Sequence, residues 1–349
     1  MTPYSRLPGH AFWRTAVAER NMFDISDLWQ PKRRITRAQG IATYGSCFAQ
    51  HIGRALRQNG FRWLDAEIAP AGLSPENARR FNYGIFSSRT ENIYTATMLA
   101  QWVDWALGHA PVPDEVWEEN GRFYDPFRPR VEPEGFASAD EMRAARAWTL
   151  ECFRRSFVEA DVFVFTLGLT ERWVNAQQGY EYAMCPGTAA GHFDPEAHRF
   201  DNLQVAQVLG ALSQAMTRMR EVNGGLKFLL TVSPVPLTAT NSGKHVLVAT
   251  MESKSILRTV AGQLAANRGF VDYFPSYEII NAAPFRGTFF EPNQRSVNPA
   301  GVAFVMRAFF EAMGIEGAGV PADTPAPAAP AEPDDVVCQE ELLDAFAKP

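Results

Sequence analysis

The stretch of sequence that decides the fold runs from Ile41 to His51 and reads IATYGSCFAQH. Its first residues, Ile41 to Tyr44, are apolar, β-branched or aromatic and predict a short buried strand. The glycine and serine that follow predict a tight turn. Residues Phe48 to Asn59 then have the apolar spacing of an amphipathic helix. A buried strand that leads through a turn into a helix is typical of the parallel sheets of α/β proteins.

The same alternation of strand and helix continues along the chain. Further strands are predicted at Val162–Leu167, Phe228–Val232 and Phe270–Phe274, and further helices at Ile93–Leu107, Ala139–Glu159, Asn202–Val222, Val246–Asn267 and Pro299–Met313. We therefore predict a three-layer, doubly wound α/β fold, in which a parallel sheet carries helices on both faces. Ligands of such folds bind outside the carboxyl ends of the strands, so functional residues are expected just after each strand.

The sequence predicts three parts. Residues 1–40 are expected to form an N-terminal arm packed on the core, and residues 41–315 a single α/β domain. Eleven of the seventeen residues from Gly317 to Pro333 are Ala or Pro, so residues 316–349 are expected to be a disordered linker with an acidic tail. The tail, residues 334–349, could be a short docking helix, but a frayed end is favoured. It could also attach the domain to a partner protein.

Composition narrows the functional classes. The 349 residues are 46% apolar, enough to fill a core, and their net charge of −6 lacks the basic footprint of a nucleic-acid binder. No apolar segment approaches the roughly 20 residues that cross a bilayer, and no signal peptide is visible, so we expect a cytoplasmic protein without membrane insertion. The four cysteines form no CxxC pair, and dinucleotide and P-loop motifs are lacking, so neither a metal nor a cofactor is expected.

Cys47 is the residue on which the chemical prediction rests. It directly precedes a helix, where the positive end of the helix dipole favours a thiolate over a thiol. The alternative is a small structural cysteine buried in the turn, since free cysteines are among the most buried residues.

Residues 45–49 read GSCFA, which is the namesake motif of the GSCFA family. The chain resembles that family in four further blocks, in the family's order: FNYGIF at 81–86, TLGLTE at 166–171, YAMCPGT at 182–188 and TVSPV at 231–235. The likeness covers about residues 20–313. The family is grouped by resemblance with the SGNH, or GDSL-like, hydrolases, which implies a flavodoxin-like arrangement of the sheet.

The resemblance also implies site residues. It places Cys47, preceded by Ser46, where the superfamily keeps its serine nucleophile. Gly84 and Thr170 then take the positions of the residues that complete the oxyanion hole, and Thr170 offers a hydroxyl in place of an Asn amide. Asn82 stands in the same block as Gly84 and is expected to bind substrate.

Other candidates come from the residues themselves. Glu171 could orient a catalytic base or pair with Arg172. Lys254 and Arg89 could each hold an anionic substrate, although a surface lysine and a structural ion pair are the plainer interpretations.

The C-terminal block departs from the superfamily. Its Asp-x-x-His is replaced by Asn293 and Ser296, neither of which can act as a general base at neutral pH. A base must come from elsewhere. His245, in the loop after the third strand, is favoured because a loop histidine can approach the thiol in line. His51 is the second choice because it lies four residues beyond Cys47 on one helix face. A chain without a catalytic histidine is the remaining alternative.

These observations predict an SGNH-like acyl-ester hydrolase or O-acyltransferase with a cysteine nucleophile. Its substrate is expected to be a small-molecule or glycan acyl ester, a class implied by the superfamily resemblance. The alternative is a non-catalytic, SGNH-like binding module that has lost the Asp-x-x-His block.

Overall fold

The computed structural model describes residues 2–315 and 338–347, and these residues form two compact units. The larger unit comprises residues 36–273 and 338–347. The smaller unit comprises residues 2–35 and 274–315.

The larger unit alternates strands and helices. In chain order its elements are β1 (Ile41–Gly45), α1 (Phe48–Gln58), α2 (Pro75–Arg80), α3 (Ala96–Ala106), β2 (Trp117–Glu119), β3 (Arg122–Tyr124), α4 (Ala139–Glu159), β4 (Val162–Leu167), β5 (Glu171–Asn175), β6 (His198–Asn202), α5 (Val205–Val222), β7 (Lys227–Val232), α6 (Val246–Asn267) and β8 (Val271–Tyr273).

A four-stranded parallel sheet in the order β1-β4-β7-β8 forms the centre of this unit. On the free side of β1, Ile41 forms a parallel bridge with Trp63. The segment around Trp63 therefore takes the place of a second strand, which gives the 2-1-3-4-5 order of flavodoxin-like sheets. The order of strands reverses between β1 and β4, so their carboxyl ends form the topological switch point where such folds bind ligands.

The predicted three-layer α/β architecture is confirmed, and each predicted strand and helix is present within a few residues of its predicted ends. Two hairpins were not predicted. β2 pairs with β3, and β5 pairs with β6. β5 and β6 are only partly buried, apart from Val174, so their sequences lack the apolar alternation that predicts a strand.

Aromatic rings fill the core beside β1. Tyr44 stacks on Phe163 with ring centroids 5.3 Å apart and meets Phe153 edge-on at 4.9 Å. Its buried hydroxyl is satisfied by the hydroxyl groups of Ser88 and Ser156. In the described residues, no helix combines the length and apolar character that spanning a membrane requires.

The smaller unit contains α7 (Ser276–Asn281) and α8 (Pro299–Ala312). Trp29 contacts Phe274 and Phe309 at centroid distances of 5.0 and 5.5 Å. Asn298 caps α8 by accepting a hydrogen bond from the N–H of Gly301 at 2.8 Å, as its position before Pro299 predicts. α8 and residues 2–35 belong to the same compact unit.

The end of the chain also differs from the favoured interpretation. Residues Gln339–Phe346 form a 3-10 helix that belongs to the larger unit. Residues 338–347 are therefore docked on the larger unit, whereas the favoured interpretation of the sequence was a frayed end. The predicted linker, residues 316–337, lies outside the described residues.

Candidate functional site

The turn after β1 is fixed by close contact with β4. Gly45 has φ of +129°, and a Cβ at this position would lie 2.3 Å from the carbonyl oxygen of Thr166. Only glycine fits there. The N–H of Ser46 donates to that same carbonyl at 3.0 Å, and the Ser46 side chain is buried. The turn thereby holds the next residue at the carboxyl end of the sheet.

Cys47 occupies the N-cap position of α1 and is 4% exposed. Its thiol lies at the amino end of an eleven-residue helix, where the helix dipole stabilises a thiolate. The structure thus places Cys47 at the switch point between β1 and β4, as predicted for a nucleophile, although it is covered.

Tyr94 is bound to the segment that follows β4. Its carbonyl accepts hydrogen bonds from the N–H groups of Gly168 and Leu169 at 3.0 and 3.2 Å. Burial raises the pKa of Tyr94, and the thiols of Cys338 and Cys47 raise it further. Both thiols therefore lie close enough to act electrostatically on the Tyr94 side chain.

The two candidate histidines have different surroundings. His51 is buried on α1, one helical turn beyond Cys47, with its ring centroid 5.4 Å from that of Phe48. His245 is exposed and caps α6, where its Nδ1 accepts a hydrogen bond from the N–H of Leu247 at 3.2 Å. A neutral histidine whose Nδ1 accepts a hydrogen bond carries its proton on Nε2. Its Nε2 then cannot accept a second proton. The identity of the base therefore stays a prediction.

The two predicted oxyanion residues differ in their surroundings, and both donors of Thr170 are engaged within the fold. The N–H of Thr170 donates to Ser253 Oγ at 3.1 Å, and its hydroxyl donates to Asn202 Oδ1 at 2.6 Å. Gly84 has φ of +67°, and a Cβ there would lie near the guanidinium of Arg57. Arg57 is in the last turn of α1, whereas Cys47 precedes the first turn.

Asn92 is a polar residue that lies beside the first turn of α1. It is buried, and its Oδ1 accepts a hydrogen bond from Nε2 of Gln50 at 3.3 Å. The N–H of the next residue, Ile93, donates to the carbonyl of Gly45 at 2.9 Å. Asn92 is thus held beside the turn that carries Cys47.

The predicted substrate-binding residues are mostly engaged within the fold. Arg89 is buried, donates to the carbonyl of Val131 and forms an ion pair with Glu132 at 2.8 Å. Asn82 donates to the carbonyl of Arg130 at 3.2 Å. The structure therefore gives Arg89 and Asn82 structural partners in place of a substrate.

Lys254 was expected at the surface or on a substrate anion, and it is instead buried. Its Nζ donates to the carbonyl of Gly168 at 2.6 Å. A Cβ on Gly168 would lie 3.1 Å from Cβ of Ser46, so this ammonium group is held close to the turn that carries Cys47.

Glu171 accepts hydrogen bonds from the hydroxyl of Thr240 and the N–H of Asn241. Burial raises its pKa, and these two hydrogen bonds oppose that shift. Its observed role is to fix the loop that precedes α6.

A cavity of about 90 Å³ adjoins this region. Its wall is formed by side chains of the larger unit together with the C-terminal segment: Tyr94, Thr95, Met98, Leu169, Glu171, Arg172, Trp173, Glu181, Tyr182, Ala183, Met184, Cys185, Thr188, Leu237, Ala239, Gln339, Glu340 and Leu343. Tyr94 therefore belongs both to the cavity wall and to the surroundings of Cys47. Across the described residues, no group of three or more His, Cys, Asp or Glu side chains is placed to hold a metal ion.

Comparison with known proteins agrees with the motif. The sequence profile of the GSCFA family matches residues 40–309, most of the chain. The chain belongs to the GSCFA family. Curated proteins give no match to it, so the SGNH-like relationship stays a prediction.

Several residues of this GSCFA protein were not found from its sequence. Asn92 and Tyr94 lie between two of the family blocks, where no motif marked them, although Tyr94 falls in the predicted helix Ile93–Leu107. Glu181 precedes the block at 182–188 and is buried in the cavity wall, where it accepts hydrogen bonds from Thr95 and Thr97. Burial raises its pKa, although Arg172 opposes the shift. The sequence held one signal for Glu181: it is a carboxylate among aromatic residues, next to a family block.

Proposed function

We propose that this GSCFA protein is an acyl-transfer enzyme, either an acyl-ester hydrolase or an O-acyltransferase, with Cys47 as its nucleophile. The position of Cys47 carries the proposal. It stands where the strand order of a doubly wound sheet reverses and at the amino end of a helix, and its thiol acts on the side chain of Tyr94, which lines the cavity. Such switch points are where these folds bind ligands, and the amino end of a helix favours a thiolate.

The proposed reaction has two steps. The Cys47 thiolate attacks the ester carbonyl, the C–O bond breaks, and the alcohol leaves with a proton while the acyl group remains as a thioester. Water or a second alcohol then attacks the thioester, which gives hydrolysis or transfer and regenerates the thiol. We assign proton transfer to His51 and oxyanion stabilisation to the Cys47 N–H and the Asn92 amide. Acylated glycans or small acyl esters are the proposed substrates.

The experiment measures turnover of acetyl and longer acyl-ester probes. Cys47→Ala is expected to lose at least about 100-fold in kcat/KM, because it removes the nucleophile. Cys185→Ala is the matched control: it removes another thiol of the same region and is expected to retain activity. Equal rates for wild type and Cys47→Ala would contradict the assignment.

A non-catalytic binding module is the second candidate. It is favoured by the internal hydrogen bonds of Thr170 and by the exposure and capping role of His245. The pH dependence of Cys47 alkylation separates the two. A thiol pKa well below the usual 8.5 or so favours the enzyme, whereas an ordinary pKa together with tight glycan or acyl-chain binding favours the module.

A further inference from the structure

The C-terminal segment, residues 338–347, fits into the larger unit through a buried amide. The Gln339 side chain is 1% exposed, and its Nε2 donates to a carboxylate oxygen of Glu91. Glu91 is itself 1% exposed. Two polar groups so deeply buried are costly unless they pair, so this contact specifies where the segment docks.

The chemistry of the two groups is complementary. Burial raises the pKa of Glu91 to about 8, although Arg128 opposes the shift, so the carboxyl is protonated at neutral pH. A protonated carboxyl donates one hydrogen bond and accepts another, and so does a carboxamide. Gln339 Oε1 is buried and accepts no other hydrogen bond from the described residues. A paired carboxyl–carboxamide contact gives it a donor, while the backbone N–H of Arg130 also faces the Glu91 carboxyl.

The same segment forms part of the cavity wall. Glu340 and Leu343 line the cavity, as Cys185 does, whereas Glu341 and Asp344 are exposed. The remaining space of about 90 Å³ is far smaller than the roughly 300–1,000 Å³ of sites that enclose a whole ligand. Cys47 is 4% exposed, and Cys338 lies near the same Tyr94 side chain. The segment therefore lines the cavity together with Tyr94, and Tyr94 links this region to Cys47.

We propose that the cavity is a peptide-binding site whose occupant is this chain's own segment Cys338–Phe346, and that the segment must leave before an acyl substrate reaches Cys47. The contacts above support the occupation of the cavity by the segment. The control of acyl transfer by the segment rests on the proposed function. The segment acts as a plug: Gln339 anchors it at Glu91, and Leu343 fills the apolar wall.

Two pairs of substitutions test the plug in the full-length chain. Gln339→Ala with Leu343→Asp removes the anchor and places a charge in the cavity. Glu341→Ala with Asp344→Ala alters the solvent face of the same helix and is the matched control. Alkylation of Cys185 and Cys47 by a maleimide is followed by peptide mass mapping. Because Cys185 has no role in the proposed reaction, it reports on the cavity alone.

We expect the cavity-facing pair to raise the alkylation rate of Cys185 at least tenfold, and the control pair to leave it unchanged. Burial raises the pKa of Cys185 to about 11, so opening also increases its thiolate fraction. A synthetic peptide of residues 338–349 carrying Cys338→Ser, added in excess, is expected to restore protection. Equal Cys185 rates in the two paired variants overturn the plug.

Ester turnover then separates the two proposals. Faster alkylation with faster turnover supports both. Faster alkylation with no turnover in any variant retains the plug and overturns the proposed function. Turnover that depends on Cys47, with unchanged alkylation, retains the function and overturns the plug.

Discussion

Gly45 is required by backbone geometry. Its φ is +129°, and any Cβ at this position would lie 2.3 Å from the Thr166 carbonyl oxygen, which leaves no room for a side chain. The glycine of the family motif therefore allows the strand β1 to turn beside β4, and the chemistry belongs to the cysteine two residues later.

Gly45→Ala is expected to destabilise the protein by more than about 4 kcal/mol, because β1 and β4 must separate. Gly60→Ala is the matched control. Gly60 also has positive φ, +71°, but no atom lies within 4 Å of its Cβ position, so only the backbone cost of about 1–2 kcal/mol remains. Urea unfolding measures both, and similar losses in the two variants would contradict the explanation.

The histidine assignment is tested by a second pair. His51→Gln is expected to lower kcat/KM for ester probes by about 10²–10⁴, because it removes the base. His245→Gln is expected to remain near wild type, because His245 only caps α6. The pH–rate profile is the second measurement: its acidic limb should disappear in His51→Gln alone. If only His245→Gln lost activity, the catalytic base would be His245 and the assignment to His51 would be wrong.

At the scale of elements, a buried ion network joins the end of β3 to α4. Asp125 and Arg128 form an ion pair at 2.9 Å with both side chains fully buried, and Arg146 contacts Asp125 at 3.0 Å. Burial alone would raise the pKa of Asp125, but Arg146 and Arg128 together lower it. Its stabilising contribution is therefore present above the unfolded-state pKa and is lost as the pH falls through the folded-state value.

Asp125→Asn is expected to cost about 3–5 kcal/mol at neutral pH, because two buried guanidinium groups lose their anion. The loss relative to wild type should shrink as the pH falls below 4. Asp140→Asn, at an exposed carboxylate paired with Arg143, is the control and should change little. Urea unfolding across this pH range measures the difference, and a loss independent of pH would contradict the assignment.

Glu91 gives the opposite pH dependence. Its pKa is raised in the folded state to about 8, so the folded protein holds a proton that the unfolded chain releases near pH 4.5. The free energy of unfolding should therefore fall between about pH 4.5 and 8 relative to Glu91→Gln, which keeps the amide contact without the proton. Asp125, Arg128 and Gln339 are the groups that face Glu91. Parallel pH curves for the two proteins would exclude this role.

The sequence predicted the fold well because strands and helices depend on local patterns. β4 and α4, for example, begin and end where their apolar spacing predicts. The partners of individual side chains depend on distant residues. Thr170 meets Asn202 and Ser253, and Gln339 meets Glu91 across 248 positions. The position of Cys47 was therefore predictable, whereas its neighbours and the docked segment were not.

At the scale of the whole molecule, three features converge on one region of the larger unit. The family motif forms the turn between β1 and α1, the strand order of the sheet reverses there, and the C-terminal segment lines the nearby cavity. In the proposed function, this arrangement positions Cys47 for reaction while keeping it buried.

Mass spectrometry of a rapidly quenched reaction tests the central claim most directly. Wild-type protein mixed with an acetyl-ester probe should gain the mass of one acetyl group, and peptide mapping should place that group on Cys47. Cys47→Ala should gain none. An adduct on any other residue, or turnover without an adduct that is equally fast in Cys47→Ala, would contradict a cysteine-dependent acyl transfer at this site.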